Sequence, residues 1–183
     1  MSVRGRNILV GGLVALILLP TPATASHAAH PAPGDFFCPV AVRFSPHGGA
    51  EGAVVDTLRR ARGRIHAAIY GLTNPTIESA LADLARSGVR VVLKTDRGQS
   101  AGREQAALLG RLRAAGVAVE TSRARPLLHD KFAVVDDRWV VTGSFNWTAS
   151  AERRNRENVL IFDCPALAAN FETEWESIPT AGP

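Results

Sequence analysis

From Val40 to Ser177 the sequence alternates between short apolar runs of strand length and longer segments with apolar residues at helical spacing. Val40–Phe44 reads as a short strand. Glu51–Ala61 carries Val54, Val55, Leu58 and Ala61 on one helical face. Arg64–Tyr70 is a strand, and Pro75–Arg86 is a helix with Asn74 as N-cap and Gly88 beyond its end. Val89–Thr95 is a continuous apolar strand, Asp96–Gly102 a glycine-containing loop, Glu104–Ala115 a helix and Val117–Thr121 a strand. This order predicts a mixed, mostly parallel sheet covered by helices. The second half changes character. Lys131–Val135 and Trp139–Thr142 flank Asp136, Asp137 and Arg138, which read as a hairpin turn. Asn158–Phe162 is a further strand, and Pro165–Ser177 is a closing helix with Leu167, Phe171 and Trp175 on one face. No linker and no internal repeat interrupts the pattern. The expectation is a single-domain α/β fold, an α-β-α sandwich over residues 38–179.

The first 37 residues stand outside that pattern. Arg4 and Arg6 precede an apolar run from Ile8 to Leu19, Pro20 and Pro22 break it, and Ala23-Thr24-Ala25 is a small-x-small cleavage site. Residues 1–25 therefore read as an export signal cut at Ala25–Ser26, and the mature chain as secreted. The run is short for a spanning helix, which needs about 20 residues, so no stable membrane insertion is expected. The alternative reading is an uncleaved anchor. Residues 26–37 read as a flexible leader, with His27 and His30 as solvated tail residues and not metal ligands.

Loss of the signal removes two arginines. Nineteen basic residues then face seventeen acidic ones, a net charge of +2. So small a surplus does not by itself argue for a nucleic-acid partner, and an electrostatic case must rest on where the arginines sit. Two cysteines exclude a disulfide-dense scaffold and a Cys-rich zinc cluster. In an exported chain Cys38 and Cys164 are expected to pair, bracketing the strands. A bridge closing so long a loop contributes about 4–5 kcal/mol in the chain-entropy model. The alternative is two free buried thiols. Only two of the basic residues are lysines, Lys94 and Lys131, which makes each worth a question.

The stretch from His129 to Asn158 carries the chemistry. His129 and Lys131 are two apart at a strand start and share a face. Gly143, Ser144 and Asn146 follow the next strand. An ammonium, a hydroxyl and an amide converging on one point make an anion site suited to a tetrahedral phosphate. An imidazole there serves as nucleophile or acid/base group. Singly, each residue reads as ordinary strand or turn material. Together, His129-x-Lys131-x4-Asp136-x6-Gly143-Ser144-x-Asn146 fixes six positions at set spacing.

That pattern resembles the full HKD motif of the phospholipase D superfamily. Tyr70, the helix from Asn74, the run Lys94-Thr95-Asp96-Arg97-Gly98 and Glu157-Asn158 are similar to the small secreted bacterial endonuclease branch. The resemblance spans roughly Val40 to Trp175. It implies two-step phosphodiester cleavage without a metal or cofactor. His129 would be the nucleophile, forming a phosphohistidine. Lys131 and Asn146 would hold the non-bridging oxygens, Ser144 would support them, and Glu157 would orient the imidazole. Asp136 would be structural, holding the turn. The mechanism needs a second histidine as acid and then base. None of His27, His30, His47 and His66 has a lysine two residues on, and His66 reads as an ordinary strand residue. The expectation is a two-fold homodimer with a shared site.

The resemblance fixes the bond better than the substrate. Arg123 and Arg125 precede His129, and Arg153, Arg154 and Arg156 precede Glu157, placing positive charge on both flanks. That suits a nucleic-acid backbone read without sequence specificity. The leading reading is a non-specific endonuclease on DNA or RNA. The alternative is a phospholipase D acting on phospholipid head groups, with Phe36, Phe37, Phe145 and Trp147 available to touch lipid, although Phe145 and Trp147 equally suit the core or stacking on bases. A third is a non-catalytic phosphate-binding module.

Overall fold

The computed structural model describes residues 37–123 and 125–181, so the expected signal and almost all of the leader lie outside the described residues. The elements run β1 (Val40–Ser45), α1 (Ala50–Leu58), β2 (Arg64–Ile69), α2 (Pro75–Arg86), β3 (Arg90–Thr95), α3 (Arg97–Ser100) and α4 (Arg103–Ala114). They continue with β4 (Ala118–Thr121), β5 (Lys131–Val135), β6 (Trp139–Gly143), α5 (Ala149–Arg153), β7 (Glu157–Asp163) and α6 (Pro165–Ser177). Asn74 caps α2 as expected, its Oδ1 accepting from the N–H groups of Thr76 and Ile77 at 2.8 and 3.1 Å.

Three local features depart from the pattern. α1 ends at Leu58, because the N–H groups of Arg60 and Ala61 turn back to carbonyls three residues earlier and tighten the last turn. The Asp96–Gly102 loop holds the one-turn α3, seeded by Asp96 Oδ1 accepting from Gln99 N–H at 2.9 Å. α5 is an added turn capped by Thr148, whose Oγ1 accepts from Ala151 N–H at 3.1 Å. Neither turn is long enough to show a period.

All seven strands form one sheet in the order β1-β7-β6-β5-β2-β3-β4. The α/β sandwich holds, but the expected parallel majority does not. Only β2–β3 and β3–β4 are parallel, and the other four pairings are antiparallel. The two βαβ crossovers account for the parallel part. The β5–β6 hairpin, the return of β7 and the docking of β1 on β7 make the rest antiparallel.

Alternation along the strands sends Ile65, Ala67, Ile69, Ala133, Val135, Val141, Val159 and Ile161 into a core with α1, α2 and α4. The opposite parity, with Ala68, Phe132, Val134 and Val140, packs under α6 through Ala168 and Trp175. Lys94 is buried on this second face. Its Nζ donates to the carbonyls of Trp175 and Ile178 at 2.8 and 3.1 Å and lies 4.1 Å from the Trp175 ring centre. Burial pushes this amine below its ordinary range, against the raising effect of Glu120 and Glu176. His66 is 6 % exposed, stacks on Trp175 and bonds Glu172 Oε2 through Nδ1 at 2.7 Å. Both groups fasten α6 to the sheet. The Cys38–Cys164 disulfide, with Cα atoms 5.5 Å apart, ties the chain before β1 to the start of α6.

The β5–β6 turn has left-handed backbone at both Asp136 (φ 51°) and Asp137 (φ 56°), the two-residue geometry that matches strand twist. Short polar side chains tolerate it best among non-glycine residues. Asp136 gains more than tolerance. Its carboxylate accepts from the N–H groups of Arg62, Gly63 and Arg64 at 2.6, 2.9 and 2.8 Å, pinning the α1–β2 loop. Burial alone would raise its pKa; the three N–H bonds and the Arg62 charge outweigh burial and hold it below the ordinary value.

Candidate active site

Antiparallel pairing gathers the motif at one end of the sheet. β5 begins there with Lys131, β6 ends there with Gly143, and β7 begins there with Glu157. β2 also ends there, paired Ile69 to Lys131, so Tyr70 arrives beside the motif. This is where the antiparallel half of the sheet meets the parallel half, a place where open α/β sheets bind ligands.

His129 and Lys131 stand together as expected. Lys131 Nζ lies 3.1 Å from His129 Nδ1 and donates to the His129 carbonyl at 2.5 Å. The His129 ring packs on Tyr70 at 4.6 Å between centres, tilted by 54°. Lys131 Nζ sits 5.1 Å from the same Tyr70 ring. The resemblance included Tyr70 but gave it no task; its place against both motif residues comes from strand pairing. Burial lowers the Lys131 pKa from 10.5, opposed by the Asp130 and Glu157 charges. Burial raises the Asp130 carboxyl, opposed by Lys131 and His129.

Gly143 makes the next turn possible. Its φ is 144°, and a Cβ there would fall 2.2 Å from the Asn158 carbonyl oxygen. Only glycine lets β6 run this close to β7 at the point where Ser144 must be delivered. Ser144 Oγ then donates to Glu157 Oε2 at 2.5 Å and accepts from Asn158 N–H at 3.1 Å. Beyond it the chain alternates. Phe145 and Trp147 point into the core, each 2 % exposed, while Ser144 stays exposed and Asn146 half-buried. Trp147 anchors this loop, its carbonyl accepting from Thr73 and Asn74 N–H at 2.9 and 3.0 Å. Of the readings open for them, Phe145 and Trp147 therefore take the core and not a lipid-contacting or base-stacking surface. Phe37 is fully exposed, and Phe36 lies outside the described residues. Asn146 Oδ1 is buried without a hydrogen-bond partner, and a Cβ on Gly71 would lie 3.4 Å from it.

Glu157, expected to orient the imidazole, is held within this chain by two neighbours. Its Oε2 is taken by Ser144, and Asn155 Nδ2 donates to Oε1 at 3.0 Å. The His129 Nδ1 faces Lys131. An ammonium can only donate, so Nδ1 accepts and a neutral ring carries its proton on Nε2. Asp136 lies five residues along β5, at the opposite end of the sheet, and so is structural as expected.

The arginines flank the site on both sides. Asn155, between exposed Arg154 and Arg156, is held at the β1 end by Ser45 Oγ donating to its carbonyl at 3.1 Å. Arg153 is exposed in the turn just before. Arg123 and Arg125 are exposed on the loop after β4, which is three strands from β5, or about 14 Å at ordinary strand spacing. No group of three or more His, Cys, Asp or Glu side chains suited to a metal occurs among the described residues. No helix among them is long and apolar enough to cross a membrane.

A cavity of about 330 Å³ opens beside His129 and Lys131 and extends under α6.

Known proteins resemble this arrangement. Residues 54–178 match the family described as "Cardiolipin synthase, PLD-like domain". A phospholipase D of Rickettsia bellii is 32% identical over 138 residues, covering 75% of this chain and 68% of that protein. A mitochondrial cardiolipin hydrolase of Xenopus tropicalis is 37% identical over 121 residues, covering 66% of this chain and 57% of that protein. The crystal structure of Nuc from Salmonella typhimurium, a phospholipase D family member, superposes with a TM-score of 0.75 at 31% identity. That match covers 80% of this chain and all of that one. Fold, motif and relatives agree: the chain is a phosphodiesterase of the phospholipase D superfamily.

Proposed function

We propose that the protein is a secreted endonuclease that cuts nucleic-acid backbones through a phosphohistidine on His129, working as a two-fold homodimer. The observation that carries this reading is the row of exposed arginines on both sides of the His129–Lys131 pair at one sheet end. A polyanion laid along that row places a phosphate at the pair, with binding expected to weaken steeply with salt.

The reaction takes two steps. The imidazole of His129 attacks phosphorus; a P–N bond forms as the P–O bond breaks, and the partner's His129, protonated, gives its proton to the leaving oxygen. That imidazole then takes a proton from water, whose oxygen attacks phosphorus and releases His129. Lys131 and Asn146 hold the non-bridging oxygens. The bound phosphate draws Lys131 Nζ onto itself, freeing Nδ1 of His129 to carry the proton and Nε2 to attack. Ser144 keeps Glu157 in place, and Glu157 balances the charge that builds around Lys131.

A phospholipid substrate is the second reading. It is favoured by the exposed apolar residues Val40, Val42 and Phe44 on β1, whose last residues flank Glu157 and Asn158. One comparison separates the two: plasmid DNA and phosphatidylcholine vesicles assayed side by side, with EDTA present. The nuclease reading predicts DNA cleavage that survives EDTA. Release of choline without DNA cleavage would replace it with the lipid reading.

A further inference from the structure

The cavity beside His129 changes character as it leaves the catalytic pair. His129, Asp130, Lys131 and Gly143 line it from the sheet end, whereas Asn170, Phe171 and Glu174 line it from α6. Its volume of about 330 Å³ suits a small organic group. Asp130 and Glu174 also both line a second, smaller cavity, so both residues border the two spaces. Phe171 is held edge-on to Phe132, with ring centres 4.9 Å apart.

Negative walls repel a second phosphate, so a nucleic-acid backbone does not run into this space. A carboxylate only accepts hydrogen bonds, and has about four positions at which to do so. Bonds made within the protein therefore leave capacity for a ligand that donates. The ligand must also be flat or apolar enough to lie against Phe171.

We propose that this cavity is a base pocket, resting on the nuclease reading above. It takes the nucleobase beside the scissile phosphate, and Asp130 and Glu174 accept from that base's amino group. Adenine and cytosine present an amino donor, and guanine presents one beside its ring N–H. Thymine and uracil have no amino group there; their single donor, the ring N3–H, lies between two carbonyl oxygens that meet the carboxylates acceptor to acceptor. That edge is free only in an unpaired nucleotide. The ring of Phe171 supplies an apolar wall for the base. The phosphate contacts carry no sequence information, so base preference arises here and not at the arginines.

The test uses the full mature chain on single-stranded oligo-dA, oligo-dC and oligo-dT, with bis(p-nitrophenyl) phosphate as a substrate lacking any base. Oligo-dC and oligo-dA should be cut about fivefold or more faster than oligo-dT, the discrimination expected of one good base contact. Glu174→Gln and Asp130→Asn should each bring that ratio toward one. Equal rates on all three strands, or a ratio that neither variant alters, overturns the base pocket while leaving the nuclease reading standing. Hydrolysis of the nitrophenyl ester with no cutting of any strand removes the nuclease reading and the pocket with it. Equal strand rates together with faster hydrolysis of phosphatidylethanolamine than of phosphatidylglycerol would reassign the two carboxylates to an ammonium head group.

Discussion

At one end of β5, His129 and Lys131 share a half-open site with Tyr70, and Ser144 and Glu157 stand beside them. At the other end, about 17 Å along the strand, Asp136 gives its carboxylate to three backbone N–H groups of the α1–β2 loop. The two ends belong to one sequence motif, yet the first gathers side chains of different strands and the second closes a turn. At the first, burial weakens a charge that chemistry needs, holding Lys131 below 10.5. At the second, backbone donors strengthen the charge, holding Asp136 below 3.8. Spacing in a motif therefore says which residues the fold must keep together in sequence, and strand direction says which of them meet.

The contrast breaks most visibly at His129. His129→Ala should lower turnover on bis(p-nitrophenyl) phosphate by about 10⁴-fold or more, as loss of a covalent nucleophile does elsewhere. The melting temperature should stay within a degree or two, since the ring is exposed and meets Tyr70 and Lys131 at the surface. Asp136→Ala should do the reverse. Leaving three N–H groups without their carboxylate should cost about 2 kcal/mol, lowering the melting temperature by about 4–8 °C, while turnover per folded molecule changes little. Parallel melting and rate measurements on the two variants test both. A large rate loss in Asp136→Ala at temperatures where it is fully folded would mean that the far end is not merely structural.

A smaller effect sharpens the same contrast by pH. In the proposed mechanism Lys131 holds phosphate only while charged. Its folded pKa is depressed, so activity should decline with rising pH before the ordinary lysine range near 10.5 is reached. Over that window the folded state binds fewer protons than the unfolded one, so this group's contribution to stability rises as its contribution to catalysis falls. Asp136 runs the other way: its stabilisation is present above the unfolded carboxylate value and is lost as pH falls through its lowered folded value. A pH–rate profile set beside a pH–melting profile checks this. Activity and stability falling together on the alkaline side would contradict it.

Much of this was legible in the sequence because it is local. β5, α2 and α6 appear at the expected bounds, the Asp136-Asp137 turn follows from its flanking strands, and the spacing from His129 to Asn146 carries the family. The parts that were not legible depend on distant partners. The antiparallel majority of the sheet is set by how β7 returns and where β1 docks, which no local pattern encodes. For Phe145 and Trp147 the sequence leaves core, lipid and base contacts open, and the alternation of the loop decides for the core. Lys94 lies in an apolar strand run, but its partners are carbonyls at the end of α6, more than eighty residues on. The contacts of Glu157 with Ser144 and Asn155 also depend on strand pairing, since Gly143 lets β6 pass close enough to β7 to bring the hydroxyl beside it.

The central claim is that the imidazole at position 129 becomes bonded to phosphorus during turnover. Rapid quenching into alkali, where a phosphoramidate survives, followed by mass spectrometry of the digested protein, tests it most directly. The account predicts a substrate-derived phosphoryl adduct on the peptide carrying His129, appearing and decaying at rates compatible with turnover. An active enzyme that never carries phosphorus on His129, or carries it on another side chain, would contradict the account.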